Sequence, residues 1–181
     1  MYMDKKELRK FCKEKIKYLS DEYKKSADNN IFCKIINNEY YQKSTNIFLY
    51  VSTKNEPDTI EIIKYSLKNN KNVCVPKCID KSNMKVCIIN NLDDLQLGLY
   101  GILEPKEYCK EIKKSDIEFA LVPCVCCDEK GNRLGHGAGY YDKFLKNTTF
   151  KKAVICYNKL IMNYIPININ DVVIDIVIHD N

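Results

Sequence analysis

Short, uninterrupted apolar runs recur along this chain, and segments of helical periodicity separate them. Asn46-Ile-Phe-Leu-Tyr-Val51, Asn72-Val-Cys-Val-Pro76, Phe119-Ala-Leu-Val122 and Lys152-Ala-Val-Ile-Cys-Tyr157 are all of strand length and lack polar alternation. A strand that is apolar on both sides has to be covered on both sides, which is the situation inside a parallel sheet. The intervening segments supply the cover. Leu8, Phe11, Cys12, Ile16 and Leu19 recur at helical spacing after Asp4-Lys-Lys-Glu7, an N-terminal capping box, and predict a helix from 5 to about 25. A second helix is expected over 31–41. A third opens at Glu56-Pro-Asp-Thr59, with Pro57 in its first turn and Ile60, Ile62, Ile63 and Leu67 on its apolar side. Further strands are expected at 84–90 and 172–178, and Tyr140, Tyr141, Phe144 and Leu145 mark a short helix. The alternation predicts an α/β fold, a three-layer α/β/α sandwich with a mostly parallel sheet. Ligands of such sheets collect at the carboxyl ends of strands, so the segments after Val51 and Val122 should meet there.

Composition narrows the class. With 181 residues, 45% of them hydrophobic, the chain can fill one core, and no linker or repeat divides it, so 1–181 is expected to form a single domain. No apolar run approaches the roughly 20 residues needed to cross a bilayer, and the charged N-terminus has no signal-peptide centre. A cytoplasmic protein, away from membranes, is the expectation from these features. A monomer is expected. The net charge of +5 is spread over scattered lysines, without the aromatic–basic stripe of a nucleic-acid binder, and suits an anionic small-molecule substrate. Ten cysteines are present. In a reducing compartment disulfides are not expected, and the thiols read as small core residues. A zinc site built from Cys74-x-x-x-Cys78 and Cys124-x-x-Cys127 is the alternative. The sequon at Asn147 has no meaning in a cytosolic protein.

The stretch Arg133-Leu-Gly-His-Gly-Ala-Gly-Tyr-Tyr-Asp142 carries the chemistry. Glycines at 135, 137 and 139 allow a tight backbone to approach a ligand closely. Arg133 at one end offers a planar fork to phosphate oxygens, and Asp142 at the other offers the hard oxygen that Mg²⁺ prefers. The helix starting after the loop would add unpaired N–H groups facing an anion. The loop is neither a Walker A motif nor the dinucleotide-binding glycine signature. A flexible turn with core tyrosines reads equally well from the spacing alone.

Asp128-Glu-Lys-Gly-Asn-Arg-Leu-Gly-His-Gly-Ala-Gly-Tyr-Tyr-Asp142 resembles the signature of the 5-formyltetrahydrofolate cyclo-ligase (5,10-methenyltetrahydrofolate synthetase) family. Other blocks follow in the family's order: Lys5-x-x-Leu-Arg9, Tyr50-Val-Ser52 with Asn55-Glu-Pro-Asp-Thr59, Tyr100-Gly-Ile-Leu-Glu-Pro105, and Asn170-Asp-Val-Val-Ile-Asp175. The resemblance spans almost the whole chain. It implies a fold like that of phosphosugar isomerases and CoA transferases. It also implies closure of 5-formyltetrahydrofolate, with or without a polyglutamate tail, to 5,10-methenyltetrahydrofolate, using ATP and Mg²⁺ and releasing ADP and phosphate. The formyl oxygen is a poor leaving group, and phosphorylation turns it into an imidate-like phosphate that N10 can displace. A silent nucleotide- or folate-binding relative, or an isomerase or transferase of the same architecture, is the competing reading. The intact Lys5, Arg9, Arg133 and Asp142 set argues against the first, and the glycine loop against the second.

The resemblance also implies residue roles. Lys5, Arg9 and the loop from Arg133 through Leu134, Gly135, His136, Gly137, Ala138, Gly139 and Tyr140 to Tyr141 would hold ATP. Arg133 and Tyr140 would act in catalysis. Val51, Glu56 and the loop residues His136, Gly137, Ala138, Gly139 and Tyr140 would contact the folate, with Glu56 on the pterin's N–H groups. Asp142 and Asp171 would hold the metal, with Asp175 the alternative to Asp171. His179 reads as structural. Two departures from the family pattern stand out. Ala138 occupies a place often held by lysine or glycine, and Cys127 replaces an aromatic residue and is expected to reshape the pocket wall.

Overall fold

A computed structural model describes residues 3–80, 83–98 and 101–181. Met1, Tyr2 and Tyr100, the first residue of the Tyr100–Pro105 block, lie outside them. The central sheet has six strands in the order β10-β9-β6-β1-β2-β3. They are β1 (Asn46–Leu49), β2 (Asn72–Cys78), β3 (Met84–Ile89), β6 (Phe119–Val122), β9 (Lys151–Cys156) and β10 (Ile176–His179). All neighbours run parallel except β3, which turns back antiparallel along β2 at the edge. The expected mostly parallel α/β sheet is therefore present.

Side chains alternate across a strand, so register shows how the two faces are covered. Phe48 of β1 lies beside Ala120, and its ring meets Tyr141 and Phe144 of α5 (Tyr140–Leu145). Ile47 lies beside Phe119, whose ring meets Tyr41 of α3 (Glu39–Lys43) edge-on. The sheet thus carries α5 on one face and α3 on the other. On α3's side, the buried Tyr41 hydroxyl bonds Ser66 of α4 (Ile60–Lys68) at 2.7 Å.

Several boundaries differ from the sequence-based expectation. The helix expected over 5–25 is two helices, α1 (Lys5–Lys17) and α2 (Asp21–Ile36). Ser20 separates them, its Oγ accepting from the Tyr23 amide at 3.1 Å as an N-cap. The helix expected over 31–41 is the end of α2 followed by α3, divided at Asn38, whose side chain caps the Tyr40 and Tyr41 amides. Residues 172–175 are not strand; β10 starts only at Ile176. Pro57 precedes α4 rather than entering its first turn, and Asp58 Oδ1 accepts from the Ile60 amide at 2.8 Å. Two hairpins were not expected: β4 (Leu95–Leu97) with β5 (Leu103–Pro105), and β7 (Cys126–Cys127) with β8 (Arg133–Leu134). No helix among the described residues is long and apolar enough to cross a membrane.

Seven cysteines are buried. Cys124, Cys127 and Cys156 bring their sulfurs within 4.8 Å of one another. The pairing of Cys74-x-x-x-Cys78 with Cys124-x-x-Cys127 is not formed; the third thiol comes from β9. Cys127 is fully buried in β7 beside those thiols, so this departure from the family pattern does not shape the cavity wall described next.

Candidate functional site

The glycine loop is aimed by the β7–β8 hairpin. Asp128 is buried in the hairpin turn, where its Oδ1 accepts from the Lys130 and Asn132 amides at 3.0 Å and its Oδ2 from Asn132 Nδ2 at 2.8 Å. Gly131 has φ +83°, and a Cβ there would lie 2.1 Å from the Ile174 carbonyl oxygen, so only glycine fits. This turn presents Arg133, whose side chain is 3% exposed. Its Nη2 donates to Asp142 Oδ1 at 2.9 Å, and its Nε is buried without a partner among the described residues. An orphaned guanidinium N–H beside a cavity suits an anionic ligand that would complete it.

Of the three loop glycines, Gly137 (φ +109°) and Gly139 (φ +71°) need their left-handed backbone. Gly135 does not, and serves through its carbonyl, which accepts from Arg9 Nε at 2.8 Å. That bond ties α1 to the loop across 126 positions of sequence. Helix α5 begins at once after Gly139 but has six residues, so its dipole is short and the cations carry the attraction for anions.

Lys5 Nζ pairs with Asp171 Oδ2, which also accepts from the Asn168 amide at 2.6 Å. The Val172 amide, one residue on, donates to Asp142 Oδ1 at 3.1 Å. The two carboxylates proposed for the metal are thus neighbours. Each is anchored through one oxygen, leaving Asp142 Oδ2 and Asp171 Oδ1 without a hydrogen bond among the described residues. Asp175 lies elsewhere, accepting from the amide and Nζ of Lys152. His179 meets Glu129 at 3.3 Å, also away from the cavity.

On the other side Glu56 is nearly buried. Its Oε2 accepts from the Thr53 amide at 2.8 Å and from Thr53 Oγ1 at 2.9 Å, and its Oε1 lies 3.2 Å from His136 Nε2. Burial, and then the negative charge of Glu56, push the hydroxyls of Tyr50 and Tyr141 far above the usual phenol range. Both stay protonated. The Tyr140 hydroxyl donates to the Asp80 carbonyl.

One cavity of 640 Å³ is bordered by every residue singled out for nucleotide, folate or metal except Asp175, the alternative to Asp171: Lys5 and Arg9 of α1, Val51, Glu56, the whole loop from Arg133 to Asp142, and Asp171. Sequence reasoning missed the opposite wall, formed by Pro76, Cys78, Met84, Ile102 and Glu104. The only hint was Glu104 inside the Tyr100–Pro105 block, to which no role could be attached while the β4–β5 hairpin was unforeseen.

A glycine loop flanked by Arg133 and Asp142, beside the carboxyl edge of an α/β sheet, is the setting of an enzyme site. The 5-formyltetrahydrofolate cyclo-ligase family model matches residues 2–180, and the chain belongs to that family of ligases. A probable 5-formyltetrahydrofolate cyclo-ligase of Caenorhabditis elegans is 31% identical over 190 residues, spanning 97% of this chain and 92% of the relative. Two solved structures superpose closely. The 5,10-methenyltetrahydrofolate synthetase of Aquifex aeolicus has a TM-score of 0.86 at 28% identity, over 97% of this chain and 89% of its own. The synthetase of Mycoplasma pneumoniae has a TM-score of 0.81 at 26% identity, over 99% and 100%.

Proposed function

We propose that this protein closes 5-formyltetrahydrofolate to 5,10-methenyltetrahydrofolate at the expense of ATP, with Mg²⁺ bound beside the phosphates. The observation that carries the reading is the convergence of Lys5, Arg9, Arg133, Asp142 and Asp171 on one cavity. Family membership supports the same reaction.

The residues fit their ligands chemically. Asp142 and Asp171 are hard oxygen donors with one oxygen each in reserve, the set that Mg²⁺ accepts. Bound there, the metal would neutralise charge on the nucleotide phosphates. Two ion pairs, Lys5–Asp171 and Arg133–Asp142, hold cations and carboxylates ready. Lys5 and Arg133 can turn to phosphate oxygens when the carboxylates take another partner. Arg9 keeps the loop backbone in place through the Gly135 carbonyl.

The chemistry balances without an external base. The formyl oxygen takes the γ-phosphoryl group and ADP departs. N10 then attacks the formyl carbon, the C–O bond breaks, and the N10 proton leaves with inorganic phosphate. The chain's tasks are to align the formyl oxygen with the phosphate, hold the charges and exclude water. Tyr140, fixed by its bond to Asp80, and His136, tethered to Glu56, stand where loop and folate would meet. Val51, 4% exposed, gives that junction an apolar wall.

The test is direct. Purified protein with 5-formyltetrahydrofolate, Mg²⁺ and ATP should produce the methenyl chromophore only when ATP is present. A preparation that binds both ligands yet forms no methenyl product would overturn the assignment.

A further inference from the structure

Three buried thiols meet where the ends of β6 and β9 approach β7. Cys124 lies two residues past Val122 of β6, and Cys156 two residues past Val154 of β9, and those valines are paired in register. Equal offsets from a paired position bring the two side chains to the same side. Cys124 Sγ also donates to the Ile155 carbonyl at 3.5 Å, which holds the segment after β6 against β9. The chain then turns into β7 and returns Cys127 to the same spot, its carbonyl accepting from the Met162 amide at 2.8 Å. All three sulfurs lie within 4.8 Å of one another. None of the three residues borders the cavity described above.

Such a set selects its ligand by softness, number and charge. Thiolate sulfur prefers thiophilic elements to Mg²⁺ or Ca²⁺. Among the described residues no histidine, carboxylate or further cysteine completes the group as a fourth donor. A structural zinc ion takes four ligands, and three thiolates around any divalent ion leave a net negative charge. That charge would be badly placed. Cys124, Cys127 and Cys156 are 6%, 0% and 2% exposed, and the acids Asp128 and Glu129 follow Cys127 directly. Burial and neighbouring carboxylates both disfavour an anionic complex. A trivalent centre on three thiolates is neutral. Trivalent arsenic combines that charge with a preference for three ligands in a pyramid.

We infer that Cys124, Cys127 and Cys156 form a binding site for a trivalent thiophilic metalloid, taken up as arsenous acid. The acid is uncharged at neutral pH and enters through local opening of the short β7–β8 hairpin. At each thiol an S–As bond forms, an As–O bond breaks, and the thiol proton leaves with the hydroxyl as water. Three such exchanges release three waters. Arsenic stays trivalent throughout, so no oxidant or reductant takes part.

Native mass spectrometry of the full chain, reduced with a phosphine and treated with sodium arsenite, tests the site without reference to turnover. The folded protein should gain one arsenic and lose three hydrogens. X-ray absorption at the arsenic edge should show sulfur neighbours alone. Cys156→Ala leaves the Cys124–Cys127 pair, so its adduct should retain a hydroxyl and bind roughly hundredfold or more weakly, the third thiol's high effective concentration being lost. Cys33→Ala and Cys109→Ala, outside the cluster, should match wild type. Circular dichroism checks that each variant is folded, and the wild-type mass is decisive on its own. A wild-type adduct that keeps a hydroxyl, or none at all, would overturn the inference. So would unchanged binding in Cys156→Ala, or stoichiometric Zn²⁺ that resists a chelator and blocks arsenic uptake.

Discussion

Arg133 holds Asp142 through Nη2, while its Nε is buried and has no partner among the described residues. Lysine would preserve the charge but lose the fork. Arg133→Lys should therefore lower kcat/KM for ATP roughly tenfold to hundredfold, the span expected for losing a charge-assisted hydrogen bond, with an unchanged circular dichroism spectrum. Asp142→Asn keeps an oxygen for Arg133 and Val172 but loses the anionic donor. Steady-state rates over a magnesium series should show a much higher Mg²⁺ requirement. Gly131→Ala is a test of shape, because its Cβ would meet the Ile174 carbonyl at 2.1 Å in a left-handed backbone. A loss of at least ~1–3 kcal/mol should appear in denaturant unfolding. At this scale the sequence was most legible where residue type dictates chemistry, as in Arg133, Asp142 and Lys5. Glu104 was illegible because a single glutamate gains meaning only when a hairpin turns it inward.

Helix α1 shows how an element can tune a site. Asp4 accepts from the Lys6 and Glu7 amides at 2.7 and 2.8 Å, and Glu7 answers by accepting from the Asp4 amide at 2.9 Å. Lys5 and Arg9 ride on the first turns of this capped helix. Asp4→Ala should cost about 0.5–2 kcal/mol and raise KM for ATP more than KM for the folate, as initial-rate measurements with each substrate varied would show. The strands were readable because parallel neighbours demand continuous apolar runs, and 46–49, 119–122 and 151–156 all answer to that demand. The helix breaks were harder to read. Leu19 is buried and prolongs the stripe of Leu8, Cys12 and Ile16, hiding the Ser20 cap behind it. The reversed edge strand β3 carries the same apolar signature as its parallel neighbours, since periodicity does not encode direction.

Across the molecule, burial is the leading cause of the raised titrations of Asp28, Tyr41, Tyr50, Tyr141 and Tyr157. Asp28 sits beside Asp58 and Tyr157, and burial holds its carboxyl above the usual range despite hydrogen bonds from the Asp58 amide and the Tyr157 hydroxyl. A raised carboxyl means the folded state binds its proton more tightly than the unfolded chain does. Stability therefore falls as pH rises from the ordinary carboxylate range through the raised value, and the full penalty is present at neutral pH. An asparagine at this position would keep the accepting Oδ1 without the charge. Asp28→Asn should be more stable than wild type at neutral pH and level with it in acid, by urea unfolding across that range. Segments far apart in sequence close on the cavity: Lys5 from the first helix meets Asp171, 166 positions later. A ribosome must extrude the chain past Asp171 before that pair can form. The nucleotide proposed for this site therefore cannot shepherd the folding of the segments made before Asp171, and its protection against cellular proteases begins only after that residue has emerged.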